Sequence, residues 1–181
     1  MFLHLTSQII EALRPYVSEK VVVDLGAGDM RLTALCARKL GAARVLAVDK
    51  EFGGVPRGRG VVPHPWLPRT TVLRSYFADV RADICVADLA LVSWPANHAM
   101  PGLVHLLSCA KVVAYIGRND AEDGTACGPR DLFEHMLSRD LLAVVEHADN
   151  DLVIVGALIP AGARRAPSKP EADGFAAWGA T

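Results

Sequence analysis

The chain has 181 residues, of which 51% are hydrophobic and 22% are charged, and its formal net charge is −1. This balance predicts one globular domain with a substantial core, and it argues against binding to nucleic acid or membrane through overall charge alone. The N-terminus has no basic region before an apolar run, and no stretch reaches the roughly 18–20 apolar residues of a membrane span. We therefore expect a cytoplasmic protein with no membrane anchor.

The cysteines predict neither a disulfide framework nor a metal site. They are Cys36, Cys85, Cys109 and Cys127, and none forms a C-x-x-C pair or a metal-like spacing with the histidines. A free thiol in an apolar segment behaves as a small hydrophobic side chain. We expect reduced cysteines and no bound metal.

The first 15 residues predict an amphipathic N-terminal helix over 1–15. Pro15 is expected to end this helix, because proline has no N–H for the helical hydrogen-bond ladder. The apolar side chains recur at helical spacing, at Phe2, Leu5, Ile9 and Leu13.

A strand, a glycine turn and a helix follow, at about residues 20–25, 26–28 and 29–40. The strand is rich in valine, and the helix repeats apolar residues at helical spacing up to Gly41, a suitable helix end. A second apolar strand runs from Arg44 to Asp49. Such a unit is how α/β proteins bring backbone close to a nucleotide-like ligand.

The stretch 51–69 interrupts this pattern where an α/β unit would insert a crossover helix. It contains four glycines and four prolines, which exclude a regular helix. Loops of this length in a compact domain are usually functional or disordered. We predict a long loop here.

Three further strands and two helices are predicted between residues 70 and 140. The strands are Thr70–Tyr76, Asp83–Asp88, with an extension to Val92 left open, and Lys111–Ile116. The helices are indicated by apolar residues at helical spacing, at Met100, Leu103, Val104 and Leu107 and again at Leu132, Phe133, Met136 and Leu137.

Two apolar runs close the domain, at Leu141–Val145 and Leu152–Ile159. The segment between them is too short for a parallel crossover, so the two runs should pair as an antiparallel hairpin. Residues 160–181 lack periodicity and are expected to be disordered. The predicted domain is therefore a single unit over residues 1–159.

The glycine turn is compatible with two kinds of nucleotide ligand. Asp49 lies 21 residues beyond Gly28, about where dinucleotide-binding units keep an acid for ribose hydroxyls. However, the third glycine of the dinucleotide pattern G-x-G-x-x-G is Arg31 here, which is too bulky for close packing of the helix beside a pyrophosphate. This departure counts against an NAD-dependent oxidoreductase.

The run Asp24-Leu25-Gly26-Ala27-Gly28 resembles the first motif, [D/E]-x-G-x-G-x-G, of the class I S-adenosylmethionine-dependent methyltransferases. Asp49 matches that family's acid at the end of the second strand, whereas the third glycine of the motif is Met30. The resemblance covers about residues 16–159. It implies an α/β, doubly wound, mostly parallel seven-stranded sheet with a C-terminal antiparallel hairpin, and S-adenosyl-L-methionine as the cofactor.

The same resemblance implies a cofactor site at the carboxyl ends of the strands. Asp24 would face the amino-acid end of the cofactor, Asp49 would accept its ribose hydroxyls, and Asp79 would meet its adenine amino group. Helix capping or simple surface exposure is the competing explanation for these acids. The implied cofactor residues are Asp24, Gly26, Gly28, Asp49, Lys50, Asp79 and Asp88.

The methyl acceptor is expected beside the end of the fourth strand, near residues 88–97. Asp88 would act as a base or as a cofactor contact, and Ser93 and Trp94 complete the catalytic candidates. The indole of Trp94 would stack on a planar acceptor. A buried cap for Asp88 and a core position for Trp94 remain as alternatives.

Two loops carry the candidate substrate contacts. Residues 52–78 contain no Asp or Glu but several arginines and Trp66, which suits phosphate contact and base stacking. A lid over a small anionic substrate and a solvated loop remain as alternatives, and a solvated turn also explains the loop 117–128. The candidates are Arg57, Arg59, Asn119 and Thr125.

We therefore predict a methyltransferase with a nucleic-acid or nucleotide-type acceptor. A lysine-type protein methyltransferase is an alternative, because the run Asp-Leu-Gly-Ala-Gly-Asp-x-Arg is similar to that of some members of that group. A non-catalytic cofactor-binding subunit that needs a protein partner is another, since the short chain has no inserted substrate domain. An NAD-dependent oxidoreductase comes last.

Overall fold

One β-sheet runs through the part of the chain that the computed structural model describes, which is residues 6–52, 60–95, 100–118, 132, 135, 136, 138, 140–146 and 151–157. Its strands are β1 (Val21–Leu25), β2 (Arg44–Asp49), β3 (Val62–Pro63), β4 (Thr70–Arg74), β5 (Ala87–Ser93), β6 (Ala110–Arg118), β7 (Asp140–Glu146) and β8 (Asp151–Ala157). The helices are α1 (Ser7–Val17), α2 (Arg31–Arg38) and α3 (Leu103–Leu107), and 3₁₀ turns cover Phe77–Asp79 and Ala82–Cys85.

The predicted α/β fold with a mostly parallel sheet is confirmed. The strand order is β3-β4-β2-β1-β5-β6-β8-β7, and the pairs β1–β2, β1–β5, β2–β4 and β5–β6 are parallel. β8 is antiparallel to both β6 and β7, which is the predicted C-terminal hairpin. The described residues form one strand more than the seven predicted. This additional strand is the two-residue β3, which pairs with β4 at the edge of the sheet.

The sheet has an apolar layer on each face, because its central strands are buried on both sides. Val23 and Ala90 pack on the face that carries α3, whereas Val22 and Leu89 pack on the face that carries α1 and α2. Strands of this kind are nearly continuously apolar. Polar residues near their ends are therefore the natural candidates for function.

Helix α1 extends beyond its predicted end. Pro15 lies inside the helix, which continues to Val17, so the prediction that Pro15 ends it is wrong. Proline in the last turn removes only one N–H from the ladder, and the Ser18 N–H still donates to the Arg14 carbonyl at 3.2 Å. Ile9 and Leu13 are buried as predicted, whereas Phe2 and Leu5 lie outside the described residues.

The strand predicted at Asp83–Asp88 is also placed wrongly. Ala82–Cys85 forms a 3₁₀ turn, and the strand is Ala87–Ser93. The stretch from Ile84 to Val92 is apolar apart from Asp88 and has no alternation that fixes where a strand begins, and Val86 is 63% exposed. The shift moves Asp88 from the carboxyl end of the strand to its amino end.

The chain between β2 and β4 contains no helix within its described part, residues 60–69. This part contains the short β3. The loop predicted over 51–69 stays a prediction, because residues 53–59 lie outside the described residues, as does the tail 160–181. No helix in the described part of the chain combines the length and the apolar character needed to cross a membrane.

We predict that Leu13→Ala lowers the free energy of unfolding by about 2–5 kcal/mol, the usual cost of truncating a buried leucine. Leu13 is fully buried against the sheet, so this loss would show that α1 belongs to the folded domain. Urea denaturation of this variant beside Ser7→Ala, an exposed position on the same helix, measures it. Equal stabilities would contradict the prediction.

Candidate functional site

A cleft of about 540 Å³ opens where the carboxyl ends of β1, β2 and β4 meet. This volume is in the range of small-molecule sites, and the edge is the one where open α/β sheets bind ligands. No group of His, Cys, Asp and Glu among the described residues is arranged to hold a metal ion. The cleft is lined by Gly26, Asp49, Lys50, Ser75, Tyr76, Phe77, Ala78, Asp79, Met100 and Pro101.

The glycine turn forms one side of the cleft. Gly26 and Gly28 have φ of 82° and 50°, a left-handed backbone that favours glycine. Met30 has φ of 62° as well, so the chain keeps the left-handed conformation at the third motif position without a glycine. Side chains adopt that conformation at a cost, and Met30 packs against Ala27 and Phe52.

Asp49 is fixed by two backbone N–H groups. Its Oδ2 accepts from the Gly28 N–H at 2.9 Å, and its Oδ1 accepts from the Glu51 N–H at 2.8 Å. A carboxylate has about four lone-pair positions, so each oxygen can still accept from a ligand. Asp49 is therefore a pre-oriented acceptor in the wall of the cleft.

Asp24 lies beneath the turn and is fully buried. Its Oδ2 accepts from the Thr33 hydroxyl at 2.5 Å, while its Oδ1 is buried without a hydrogen-bond partner in the part of the chain that the structure describes. Burial raises the pKa of Asp24 to about 6; the bond from Thr33 opposes this, and the nearby charges of Asp49 and Asp29 add to it. Asp24 is not part of the cleft lining, but its carboxylate interacts electrostatically with that of Asp49, which is.

Thr33 was missed by the sequence analysis. It occupies the inward face of α2, one turn before Cys36, and is fully buried. The available signal was a polar residue on the apolar face of a predicted helix, nine residues after Asp24. A buried hydroxyl needs a partner, and the carboxylate at the end of β1 provides it.

Four of the seven predicted cofactor residues line the cleft together. These are Gly26, Asp49, Lys50 and Asp79. Asp79 ends the 3₁₀ turn after β4 and is exposed, and Lys50 is exposed beside Glu51, with the two charged groups 3.8 Å apart. Gly28 contributes indirectly, because its N–H orients Asp49.

Asp88 is not near the cleft. It is the second residue of β5, at the amino edge of the sheet, where its carboxylate accepts from Lys111 Nζ at 2.7 Å and from the Val21 N–H at 3.0 Å. These two hydrogen bonds hold the pKa of Asp88 below the ordinary aspartate value. The prediction that Asp88 lies beside the cofactor and the acceptor is therefore wrong. Asp88 instead links β5 to β1 and β6 through hydrogen bonds at the opposite edge of the sheet.

Ser93 and Trp94 do lie at the carboxyl edge, although neither is part of the cleft lining. Trp94 has a left-handed φ of 47°, and its backbone N–H donates to the Ile116 carbonyl at 2.8 Å. Its indole Nε1 is buried and has no hydrogen-bond partner among the described residues. The other substrate candidates, Arg57, Arg59, Asn119 and Thr125, lie outside the described residues.

Gly102 was also missed, and it shapes the opposite wall of the cleft. Its φ is 87°, and a Cβ on it would lie 2.7 Å from backbone atoms of Phe77 and Ala78. The start of α3 therefore packs directly on the 3₁₀ turn that carries Asp79. The sequence signal was a glycine within a helical pattern, which often marks a packing requirement.

Solved structures of several methyltransferases are similar to this chain. The methyltransferase domain of bacterial CtHen1-C has a TM-score of 0.59 at 14% identity, over 83% of this chain and 95% of that one. A candidate RNA methyltransferase from Pyrococcus horikoshii has a TM-score of 0.57 at 17% identity, over 85% and 82%. The ribosomal protein L11 methylase of Lactobacillus delbrueckii subsp. bulgaricus has a TM-score of 0.54 at 18% identity, over 85% and 79%.

No family model matches the chain, and no curated protein matches it in sequence. The structural likeness shows that the chain has the class I methyltransferase fold. Activity has to be argued from the site, because a shared fold does not by itself fix function.

We predict that Asp24 makes the free energy of unfolding fall as the pH rises from about 4 to about 6. In this range the folded state keeps a proton on Asp24 that the unfolded chain has released, so the folded state binds more protons and loses stability with rising pH. Asp24→Asn removes this titration. Relative to the parent, its stability should rise by about 2 kcal/mol between pH 4 and pH 7, measured by urea denaturation at each pH. A constant difference would contradict the shifted pKa.

We further expect Gly102→Ala to destabilise the chain more than Gly60→Ala. Both glycines have positive φ, which costs an alanine about 1–3 kcal/mol, but only at Gly102 does the added Cβ meet backbone; at Gly60 nothing lies within 4 Å. Urea denaturation of the two variants separates the cost of conformation from the cost of overlap. Equal losses would mean that Gly102 does not hold the cleft wall.

Proposed function

We propose that this chain, which has the fold of the class I S-adenosylmethionine-dependent methyltransferases, binds S-adenosylmethionine in the cleft and transfers its methyl group to an acceptor. The observation that carries the proposal is Asp49. Its carboxylate is held by the Gly28 and Glu51 N–H groups while both oxygens keep accepting capacity in the cleft. A ribose diol requires a fixed acceptor of this kind.

The other residues of the cleft fit the remaining parts of the cofactor. Gly26 has no side chain between the turn and a ligand, and Asp79 can accept from an adenine amino group. Asp24 carries a partner-free oxygen beneath the turn, so its negative charge favours a ligand with a cationic amino group and sulfonium. The cofactor has no pyrophosphate, so Arg31 in place of the third dinucleotide glycine is no obstacle.

Catalysis in such a site is chiefly positioning. The cofactor supplies an activated methyl group, and the residues of the chain bind it, orient it and exclude water. We assign Ser93 and Trp94 to the acceptor side, because they end β5 at the carboxyl edge of the sheet. With Asp88 at the opposite edge, no carboxylate of β5 is assigned as a base.

We propose a nucleic-acid or nucleotide-type acceptor. Support comes from the arginines and Trp66 in the acid-free residues 52–78, and Arg57, Arg59, Asn119 and Thr125 remain proposed contacts. Among the similar structures, one is named for RNA and another for ribosomal protein L11, so protein methylation is the main competitor. A subunit that needs a partner for activity is the other.

We predict that Asp49→Asn weakens S-adenosylmethionine binding by about 10- to 100-fold, the range for losing hydrogen bonds to a charged group. The asparagine oxygen can still accept from the Gly28 N–H, whereas the Glu51 N–H loses its acceptor. Asp88→Asn is the matched control, because Asp88 lies at the opposite edge and should bind within about twofold of the parent. Calorimetric titration measures both, and a loss at Asp88 with none at Asp49 would overturn the assignment of the cleft.

The acceptor class is tested by offering total RNA, DNA and protein with a methyl-labelled cofactor. Label in RNA or DNA supports the proposed acceptor, and label in protein alone replaces it with protein methylation. Cofactor binding without transfer to any of the three would favour the partner-dependent subunit.

A further inference from the structure

An exposed tryptophan lies in a turn at the amino edge of the sheet, and hydrogen bonds hold the backbone of this turn. Trp66 is 78% exposed, yet its backbone is held on both sides. His64 Nδ1 accepts from the N–H groups of Trp66 at 3.1 Å and Leu67 at 3.0 Å, and Arg38 Nη2 donates to the Trp66 carbonyl at 2.8 Å. The indole is therefore exposed to solvent, while the backbone that carries it is held in place by hydrogen bonds.

Two arginines share an open groove with this indole. Arg44 and Arg69 line the groove, of about 730 Å³, together with His64 and Trp66, and none of the described residues in its lining is acidic. The Val45 N–H donates to the Arg69 carbonyl at 2.9 Å, which fixes the two arginine positions beside each other. We call Trp66, His64, Arg38, Arg44 and Arg69 the Trp66 platform.

No ion pair among the described residues neutralises the charges of the platform. Within the described residues, Arg38, Arg44 and Arg69 form no ion pair, whereas Arg14, Arg31 and Arg81 each pair with a carboxylate, on Glu11, Asp29 and Asp83 respectively. Unpaired guanidinium groups around an apolar aromatic surface are a local basic patch on a chain with a net charge of −1. Such a patch attracts a polyanion that also has planar groups.

The platform lies at the end of the sheet opposite the cleft. Arg44 begins β2 and Arg69 precedes β4, whereas Asp49 and Ser75 mark the other ends of these strands. At about 3.3 Å per residue, roughly 16 Å of strand separates the two places. A ligand on the platform is therefore distinct from a small molecule in the cleft.

We propose that the Trp66 platform is a docking surface for single-stranded nucleic acid. A base stacks on the indole of Trp66, and phosphates contact Arg44 and Arg69. Only an unpaired base offers its face to a projecting side chain, which favours a single strand over a duplex. An acidic peptide would pair with the arginines but leave the indole unused. This inference rests on the proposed function, because the platform would hold an acceptor strand whose target reaches the cleft.

The test is the affinity of the full chain for a fluorescently labelled oligo(U) of roughly twelve nucleotides, measured by anisotropy at several salt concentrations. Trp66→Ala should weaken binding about five- to 150-fold, the usual effect of losing one base stack, with a smaller loss for Trp66→Phe. Arg44→Ala and Arg69→Ala should each reduce the slope of log K against log salt by about 0.7. Arg14→Ala, whose guanidinium is paired with Glu11, should change neither quantity.

His64 is a positioning residue, and it is tested through its acceptor nitrogen. His64→Ala should weaken oligo(U) binding, because the N–H groups of Trp66 and Leu67 lose their shared acceptor. His64→Asn should restore binding in large part, since an asparagine oxygen accepts from N–H groups two and three residues ahead. Equal binding by the two variants would remove His64 from the account.

The outcomes separate this inference from the proposed function. Unchanged oligo(U) binding by Trp66→Ala, or displacement of oligo(U) by polyglutamate at equal charge concentration, would overturn the platform. S-adenosylmethionine titrations of the same variants run in parallel and should match the parent, because none of these residues lines the cleft. Loss of the platform effect with cofactor binding intact overturns only the docking surface, whereas absent cofactor binding with oligo(U) binding intact overturns only the methyltransferase.

Discussion

The backbone connection between the glycine turn and the end of β2 is the constraint on which the site depends. The N–H groups of Gly26 and Ala27 both donate to the Val48 carbonyl, and the N–H of Gly28 donates to Asp49. These bonds hold a left-handed turn at the carboxyl edge, where two parallel strands end side by side. The carboxylate that locks the turn is consequently also the one that faces the cleft.

Two features that oppose folding lie in this same region. Asp24 is a buried carboxylate with one partner-free oxygen, and Met30 holds a left-handed backbone with a full side chain. Unfavourable arrangements of this kind persist where the surrounding structure enforces them, and they concentrate at functional sites. The opposite wall is set just as firmly, because Gly102 lets α3 rest directly on the turn that carries Asp79.

Structural features that depend on the local spacing of residues could be predicted from the sequence. The strand-end positions of Asp24 and Asp49 and the antiparallel hairpin followed from apolar runs and short connections. Asp88 was misplaced because apolar residues lie on both sides of it, so the pattern does not fix where the strand starts. Thr33 and Gly102 depend on partners brought close only by the fold, so their roles could not be predicted from spacing. The Trp66 turn combines both, since its basic and aromatic character is visible in the sequence but its rigidity depends on Arg38, in α2.

A calorimetric titration of the unaltered chain with S-adenosylmethionine, and separately with NAD, tests the central claim most directly. Both ligands contain adenosine, but they differ in the group that the glycine turn must accommodate. NAD has a pyrophosphate there, whereas S-adenosylmethionine has a cationic amino-acid chain. We predict saturable binding of S-adenosylmethionine at one site and no binding of NAD. Binding of NAD without binding of S-adenosylmethionine would contradict it and restore the dinucleotide interpretation of the turn.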